Sequence, residues 1–370
     1  MKQAHFLPVF LALIASYIGL HFYAARWLAR SFSLGQQAAY WLRVALLLAA
    51  FLSPFTMFLR RHYQGPVFDL VYNTAYAWMG VILIAAFIFF CFQLAGPLLR
   101  RLPLARAHLP ALALATIALI LCSSFYEAYK TPDIKRITVP VKDLPPALEG
   151  LKIAQITDMH VDSAWKLRQF SGIVKRVNEA KPDLVLITGD LIDPGLTCRD
   201  QLGALAHKLE SRLGVYGALG NHEYYYGLDK ALGCYADFGI KLLKDDSADL
   251  GALRLIGISD IRTEGLSGAD VVKVLEKNKS GKFSVVMSHQ PLFYKEIAEA
   301  GKYLVLSGHT HRGQIFPFSV FTKLFYPHFY GLYRIKDSVF YVSSGTGTWG
   351  PPLRWFAPAE IPIITLINAK

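Results

Sequence analysis

Acidic side chains are nearly missing from the first 130 residues. Asp69 and Glu127 stand there against ten lysines and arginines, a net charge of about +8. The rest of the chain carries 29 basic and 25 acidic side chains, a net of about +4. The isoelectric point near 9.4 is therefore a property of the first third. Its arginines lie between apolar runs, as they do in membrane loops, so the basic balance does not imply a nucleic-acid partner. Cysteine is scarce too: Cys91, Cys122, Cys198 and Cys234, none in a C-x-x-C pair. That excludes a disulfide framework and a zinc ribbon, and suits a reducing compartment. Charge is also rare inside the apolar runs. Arg43 is the one charge placed to intrude on a run, and it can snorkel. A polar pathway of the channel or transporter kind is not indicated, and an anchor is.

What is present is hydrophobicity. The chain is 53% hydrophobic with a mean hydropathy of +0.32, too apolar and too long for one ordinary soluble domain. Four apolar segments, 6–24, 38–59, 71–99 and 109–129, reach or approach the ~20 residues that cross a bilayer. Arg26 and Arg30, Arg60-Arg61, and Arg100, Arg101 and Arg106 separate them. Aromatic rings such as Trp27, Trp41, Tyr76 and Tyr129 lie toward segment ends, where the interface favours them. The first segment reads as a span rather than a cleaved signal, because it is long, shows no convincing small-residue cleavage site and is followed by three more. Four spans put the N-terminus and the C-terminal part on one side. Six basic residues on that side against five on the other do not fix which side; a cytoplasmic C-terminal domain at the inner (plasma) membrane is the expectation. A stretch with four prolines (129–150) ends the membrane part as an extended linker with room for one edge strand.

After residue 150 one design recurs. A short apolar, β-branched run stops abruptly at polar residues. "KIAQIT" meets Asp158-Met159-His160, "DLVLIT" meets Gly189-Asp190, and "VYGALG" meets Asn221-His222-Glu223. "FSVVMS" meets His289, and "YLVLS" meets Gly308-His309-Thr310-His311. Runs of this kind read as buried strands. Stretches 165–180 and 199–213 read as helices; in the first, Leu167, Phe170, Ile173, Val174 and Val177 recur at helical spacing. Strand, helix, strand makes an α/β layered domain whose strand ends gather ligands. In an extended segment His309 and His311 point to the same side. Five strand ends with Asp, Asn and His in order are hard to explain as surface polarity. Carboxylate, amide and imidazole donors without sulfur suit a pair of divalent cations that performs phosphoryl transfer.

The set D-x-H, G-D, G-N-H-E, H and G-H-T-H, in this order, resembles the calcineurin-like metallophosphoesterase family over residues 150–370. The "GHTHRGQ" form, the tail "SSGTGTWGPPLRW" and the N-terminal spans are most similar to its YkuE/YaeI/LpxG-like branch. The resemblance implies a four-layer α-β-β-α sandwich at 151–370, preceded by a membrane domain at 1–130 with about four transmembrane helices and a linker at 131–150. It implies two divalent metal ions, Mn first, with Fe, Zn or Mg as alternatives. Asp158, His160 and His311 would hold one ion and Asn221, His289 and His309 the other, with Asp190 bridging. His222 would serve the leaving oxygen as general acid or stabiliser. Glu223, as an orienter of His222 or a solvated side chain, and Arg312 are candidates for the surroundings or the substrate rim.

Other residues have plainer readings: Asp193 as a turn residue, His207 on a helix surface, His328 among aromatics. The aromatic stretch 315–335 is either a lipid-facing flap or a packed insertion. Glycines in 345–354 permit a close backbone approach at the rim of the site. The expected substrate is a phosphorylated, lipid-linked small molecule at the bilayer, such as UDP-2,3-diacylglucosamine. A nucleotide phosphodiester would use the same centre. A non-catalytic sensor or scaffold would show decayed ligands or a lost His222, and none is missing.

Overall fold

The computed structural model describes residues 6–59, 62, 63, 65–99, 103–196 and 199–369. The basic breaks Arg60-Arg61 and Arg100-Arg101, together with Lys2 and Cys198, lie outside them. The chain divides into two compact units. One comprises residues 1–126 with 350–355, the other residues 127–349 with 356–370.

The first unit is helical: α1 (Phe6–Ser31), α2 (Gln36–Leu59), α3 (Pro66–Leu99) and α4 (Pro103–Tyr129). All four contain stretches long and apolar enough to cross a membrane. Pro54, Pro97 and Pro110 lie inside α2, α3 and α4, as spans tolerate where other groups satisfy the freed backbone. Polar contacts join the helices. The Trp78 indole N–H donates to His21 Nε2 at 2.9 Å, and Ser53 Oγ donates to the Ala75 carbonyl at 2.6 Å. The Trp27 ring stacks on Phe89 at 4.1 Å. Arg43 is exposed.

The second unit is a sandwich of two six-stranded mixed sheets. Its strands are β1 (Asp133–Val141), β2 (Lys152–Ile156), β3 (Leu184–Thr188), β4 (Val215–Ala218), β5 (Lys241–Leu242), β6 (Asp246–Leu250), β7 (Leu253–Ile258), β8 (Phe283–Ser288), β9 (Tyr303–Ser307), β10 (Gly331–Ile335), β11 (Ser338–Val342) and β12 (Glu360–Asn368). The sheet orders are β1-β12-β2-β3-β4-β5 and β10-β11-β9-β8-β7-β6. Ile153, Leu184 and Leu186 of the first sheet and Leu255, Val285, Leu304 and Tyr341 of the second share one buried core between the sheets. On the outer face of the first sheet lie α5 (Ala164–Glu179), α6 (Arg199–Ala206), α7 (Asn221–Tyr226) and α8 (Leu228–Asp237); Phe170, Ile173, Leu202 and Tyr235 cement them in a second core. The other sheet is covered by α9 (Gly268–Lys277) and α10 (Tyr294–Ala300), through Val271, Leu275 and Ile297. The seventh helix of this unit, α11 (Phe318–Phe325), follows His309 and His311. The layers are thus α-β-β-α. The five strands read from the sequence are β2, β3, β4, β8 and β9. All are nearly or wholly buried, which is why they read as continuous apolar runs rather than alternating ones.

One local expectation differs, and the expected edge strand is found. The helix expected at 199–213 stops at Ala206, and His207 Nε2 bonds instead to the Asp237 carbonyl at 2.9 Å. Strand β1 lies within the proline-bearing stretch 129–150 and pairs parallel with β12 along its whole length, at the edge of the first sheet.

Candidate metal centre

Strands β2, β3 and β4 are parallel neighbours in one sheet, and β8 and β9 in the other. Their C-terminal ends therefore collect at one edge of each sheet. Asp158, Asp190, Asn221, His289 and His309 follow those five ends in order. Several of these residues have positive φ: Asp158 (56°), His160 (51°), Asp190 (53°), His309 (68°) and His311 (48°). Non-glycine residues in this region cost of order 1 kcal/mol each and persist where the surroundings hold them. Here the surroundings are tight. A Cβ at Gly308 would lie 2.1 Å from Asp158 Oδ2, and one at Gly347 would lie 2.4 Å from the Met159 carbonyl oxygen. The "GTGTWG" stretch approaches this way: Thr346 N donates to Thr157 O at 2.8 Å and Gly347 N to Asp158 O at 3.1 Å.

Three groups of potential ligand atoms result, each within 4.8 Å internally. Two hold the expected ligands, Asp158, His160 and His311 in one and Asp190, His289 and His309 in the other; the third joins His160 to Asp193 and His222. His160 Nε2 and His311 Nε2 face each other at 3.0 Å, and His311 Nε2 lies 3.5 Å from Asp158 Oδ1. Asp190 Oδ2 is 3.1 Å from His289 Nε2 and 3.8 Å from His160 Nε2, so it touches both groups. Asn221 is buried, and its Oδ1 has no hydrogen-bond partner. An orphaned buried amide oxygen is costly unless a cation takes it. The donor set therefore fits divalent metal.

The far sides of the imidazoles are held. His289 Nδ1 bonds the Thr188 carbonyl at 2.9 Å, and His160 Nδ1 bonds Asp193 Oδ1 at 2.8 Å. His309 Nε2 bonds the Tyr326 hydroxyl at 2.8 Å. Each contact orients the ring and leaves the other nitrogen for a ligand role. Electrostatics act in the same sense. Burial, then His289 and Arg262, push His309 down to about 3, so it is neutral and available. Burial would raise the Asp190 carboxyl, but His289, His222 and His160 outweigh it and hold the group well below the usual range. Asp158 is the exception: burial raises its carboxyl despite its neighbouring histidines, against the ionised form a ligand needs.

Asp193 corrects the sequence reading. It is not merely a turn residue: its Oδ1 also pairs with His222 Nδ1, so one carboxylate grips His160 and His222 together. The only hint in the sequence was its place three residues after Asp190. Burial lowers the His222 pKa, but Asp193 first, then Asp190 and Glu223, raise it to about 9. The ring lies edge-on to His160 at 4.5 Å and near Tyr225 and Trp349 at 5.1 and 6.1 Å.

Glu223 also has a different place from either expectation. It is fully buried and accepts from the backbone N–H groups of Gly220, Asp190 and Leu191 at 2.8–2.9 Å and from the Tyr235 hydroxyl at 3.2 Å. It braces the loop that carries Asp190. Burial, then Asp190, push it up to about 7. The Arg312 guanidinium lies over the Tyr330 ring at 4.2 Å. His328 packs between Tyr294 and Tyr333 at 5.2 and 4.8 Å, as expected. Tyr326, the partner of His309, was hidden in a run of aromatics with no spacing to single it out.

The calcineurin-like phosphoesterase family pattern matches residues 151–313. An uncharacterized metallophosphoesterase of Helicobacter pylori is 37% identical over 247 residues, 66% of this chain and 66% of its own length. A transmembrane protein with metallophosphoesterase domain from Danio rerio is 31% identical over 311 residues, covering 78% of this chain and 71% of that one. The uncharacterized metallophosphoesterase YkuE of Bacillus subtilis is 29% identical over 62% of this chain and 83% of its own. The chain thus spans just under two thirds of the Helicobacter relative it matches. With the strand ends, the two donor groups and these relatives in agreement, the chain belongs to the calcineurin-like metallophosphoesterase family.

Proposed function

We propose that the chain is a membrane-anchored dinuclear metal phosphohydrolase that cleaves a phosphoester or pyrophosphate bond of a lipid-linked substrate such as UDP-2,3-diacylglucosamine. Residues 1–130 form the membrane domain, and 131–150 is the linker, which also lends strand β1 to the catalytic domain at 151–370, on the cytoplasmic face of the plasma membrane. The observation that carries the reading is Asp190, whose carboxylate reaches both donor groups. Four apolar helices in the same chain support the lipid-linked substrate, and the sulfur-free donors support Mn, with Fe, Zn or Mg as alternatives.

Divalent cations bound there would supply Lewis acidity for the phosphoryl oxygens and would acidify a nearby water. Asp158, His160 and His311 would hold one, Asn221, His289 and His309 would hold the other, and Asp190 would serve both. His222 keeps its proton through neutrality because Asp193 grips Nδ1, leaving Nε2–H to meet the leaving oxygen. Glu223 keeps the Asp190 loop in place. The test is hydrolysis of bis-p-nitrophenyl phosphate by the full chain, with Mn²⁺ or with chelator. Metal-dependent turnover that falls about 10³-fold or more in Asp190→Asn, a loss of ~4 kcal/mol in barrier lowering, is expected. No bound metal and no turnover would sink the reading.

A further inference from the structure

Helix α11 is the one helix of the sandwich unit with no buried residue among those described. Phe318, Phe321, Leu324 and Phe325 are 48, 54, 75 and 71% exposed. Their spacing puts them on one helix face. Leaving such side chains in water forgoes the free energy of burying them, and monomers rarely leave a contiguous patch of this kind uncovered.

The patch is not placed at random. Beyond residue 150, the large apolar side chains exposed outside α11 are Tyr225, Leu332, Trp349 and Phe356. Tyr225 and Trp349 flank His222, and the Phe356 ring meets Phe316, just before α11, at 6.0 Å. Apart from Leu332, these side chains lie against His222 or against the stretch that leads into α11. Tyr326, the residue immediately after α11, is hydrogen bonded to His309. The Arg262 guanidinium lies 4.9 Å from the centre of the same Tyr326 ring.

We propose that α11 seats its apolar face in a lipid surface, so that the substrate reaches the metal centre from the lipid phase past Tyr326 and Arg262. This rests on the phosphohydrolase reading and names the side from which its substrate comes. The chain itself argues for lipid rather than a protein partner. It carries four apolar helices, and only residues 130–132 separate the last of them from β1. Charge agrees: 312–336 contains Arg312, Lys323, Arg334 and Lys336 and no Asp or Glu. A short helix with Phe and Leu on one face and basic charge around it is suited to an anionic interface. Arg262 then stands where an incoming phosphate would meet a cation.

The test is photo-crosslinking of the full chain in nanodiscs of phosphatidylethanolamine and phosphatidylglycerol. Phe321→p-benzoylphenylalanine and Leu324→p-benzoylphenylalanine are compared with Lys175→p-benzoylphenylalanine, at an exposed position on α5. Lipid adducts at 321 and 324 at least about tenfold above those at 175 are expected. Yields no higher than at 175, or cross-links to a second copy of the chain or to another protein, overturn the inference. Adduct yield does not depend on turnover. Failure of the phosphohydrolase reading shows separately, as absent Mn²⁺-dependent hydrolysis of bis-p-nitrophenyl phosphate by the unsubstituted chain.

Discussion

Asp193 is the residue on which the centre's proton chemistry turns. It joins an imidazole of the metal-ligand group to the imidazole proposed as acid. A general acid must be protonated to act. With His222 raised to about 9, the acid form persists through neutrality and is lost only as pH rises through that value. Asp193→Asn removes the first of the groups that raise it, so the pKa falls toward the ordinary 6.5. The alkaline limb of the kcat/KM profile should move down by one to two units, roughly 5–50-fold lost at pH 9, with metal still bound. A limb that stays in place while the rate drops uniformly would mean that Asp193 only packs. The sequence hid this residue for a physical reason. The seven candidate ligands each stand just after a buried strand, where an apolar run ends, and that contrast is visible in one dimension. Asp193 and Tyr326 act through contacts with His222 and His309 that only the folded chain creates, and their own neighbourhoods look like a turn and an aromatic loop.

At the scale of elements, helix starts are set by local chemistry that can be tested singly. Helix α9 begins with a reciprocal pair: Asp270 N donates to Ser267 Oγ, and Ser267 N donates to Asp270 Oδ2 at 3.1 Å. Val271 and Leu275 then bury its inner face against the second sheet. Ser267→Ala removes the cap, at about 1 kcal/mol. For a unit of this size that lowers Tm by roughly 2–4 °C. Thermal unfolding should show the shift with Mn²⁺-dependent hydrolysis unchanged at 25 °C; no shift would mean that packing of α9 alone sets its stability. Elements of this kind were legible in proportion to how fully one face or both are buried. The strands β2, β3, β4, β8 and β9 are apolar throughout and read directly. Helix α5 read well because Phe170, Ile173 and Val177 recur on its buried side. Strand β1 is partly exposed and its partner β12 lies more than 200 residues downstream, so nothing near it in the chain reveals the pairing. Helix α6 ends where the His207 side chain turns to Asp237, again a contact from a distant segment.

At the scale of the whole molecule, the centre ties the two sheets together. Asp158, Asp190 and Asn221 come from the first sheet, His289, His309 and His311 from the second. The carboxylates and imidazoles face one another across the join, with Asp190 reaching both sides. A ligand that binds only the folded state stabilises it by mass action, by about 2.7 kcal/mol for each site at a hundredfold excess over Kd. Such a gain raises Tm by roughly 5–10 °C for a unit of this length. Chelation should therefore lower the unfolding temperature of the sandwich, followed through Trp165 and Trp349, by at least that amount. The helical unit contributes none of the donors, so its transition should not move. Asp190→Asn should reduce most of the metal-dependent shift, because this carboxylate belongs to both groups. An equal loss in the two units would assign the metal's effect to the solvent or the detergent. An undiminished shift in Asp190→Asn would mean that the cations do not share Asp190, and the bridging role would have to be given up even if each group still binds its own ion.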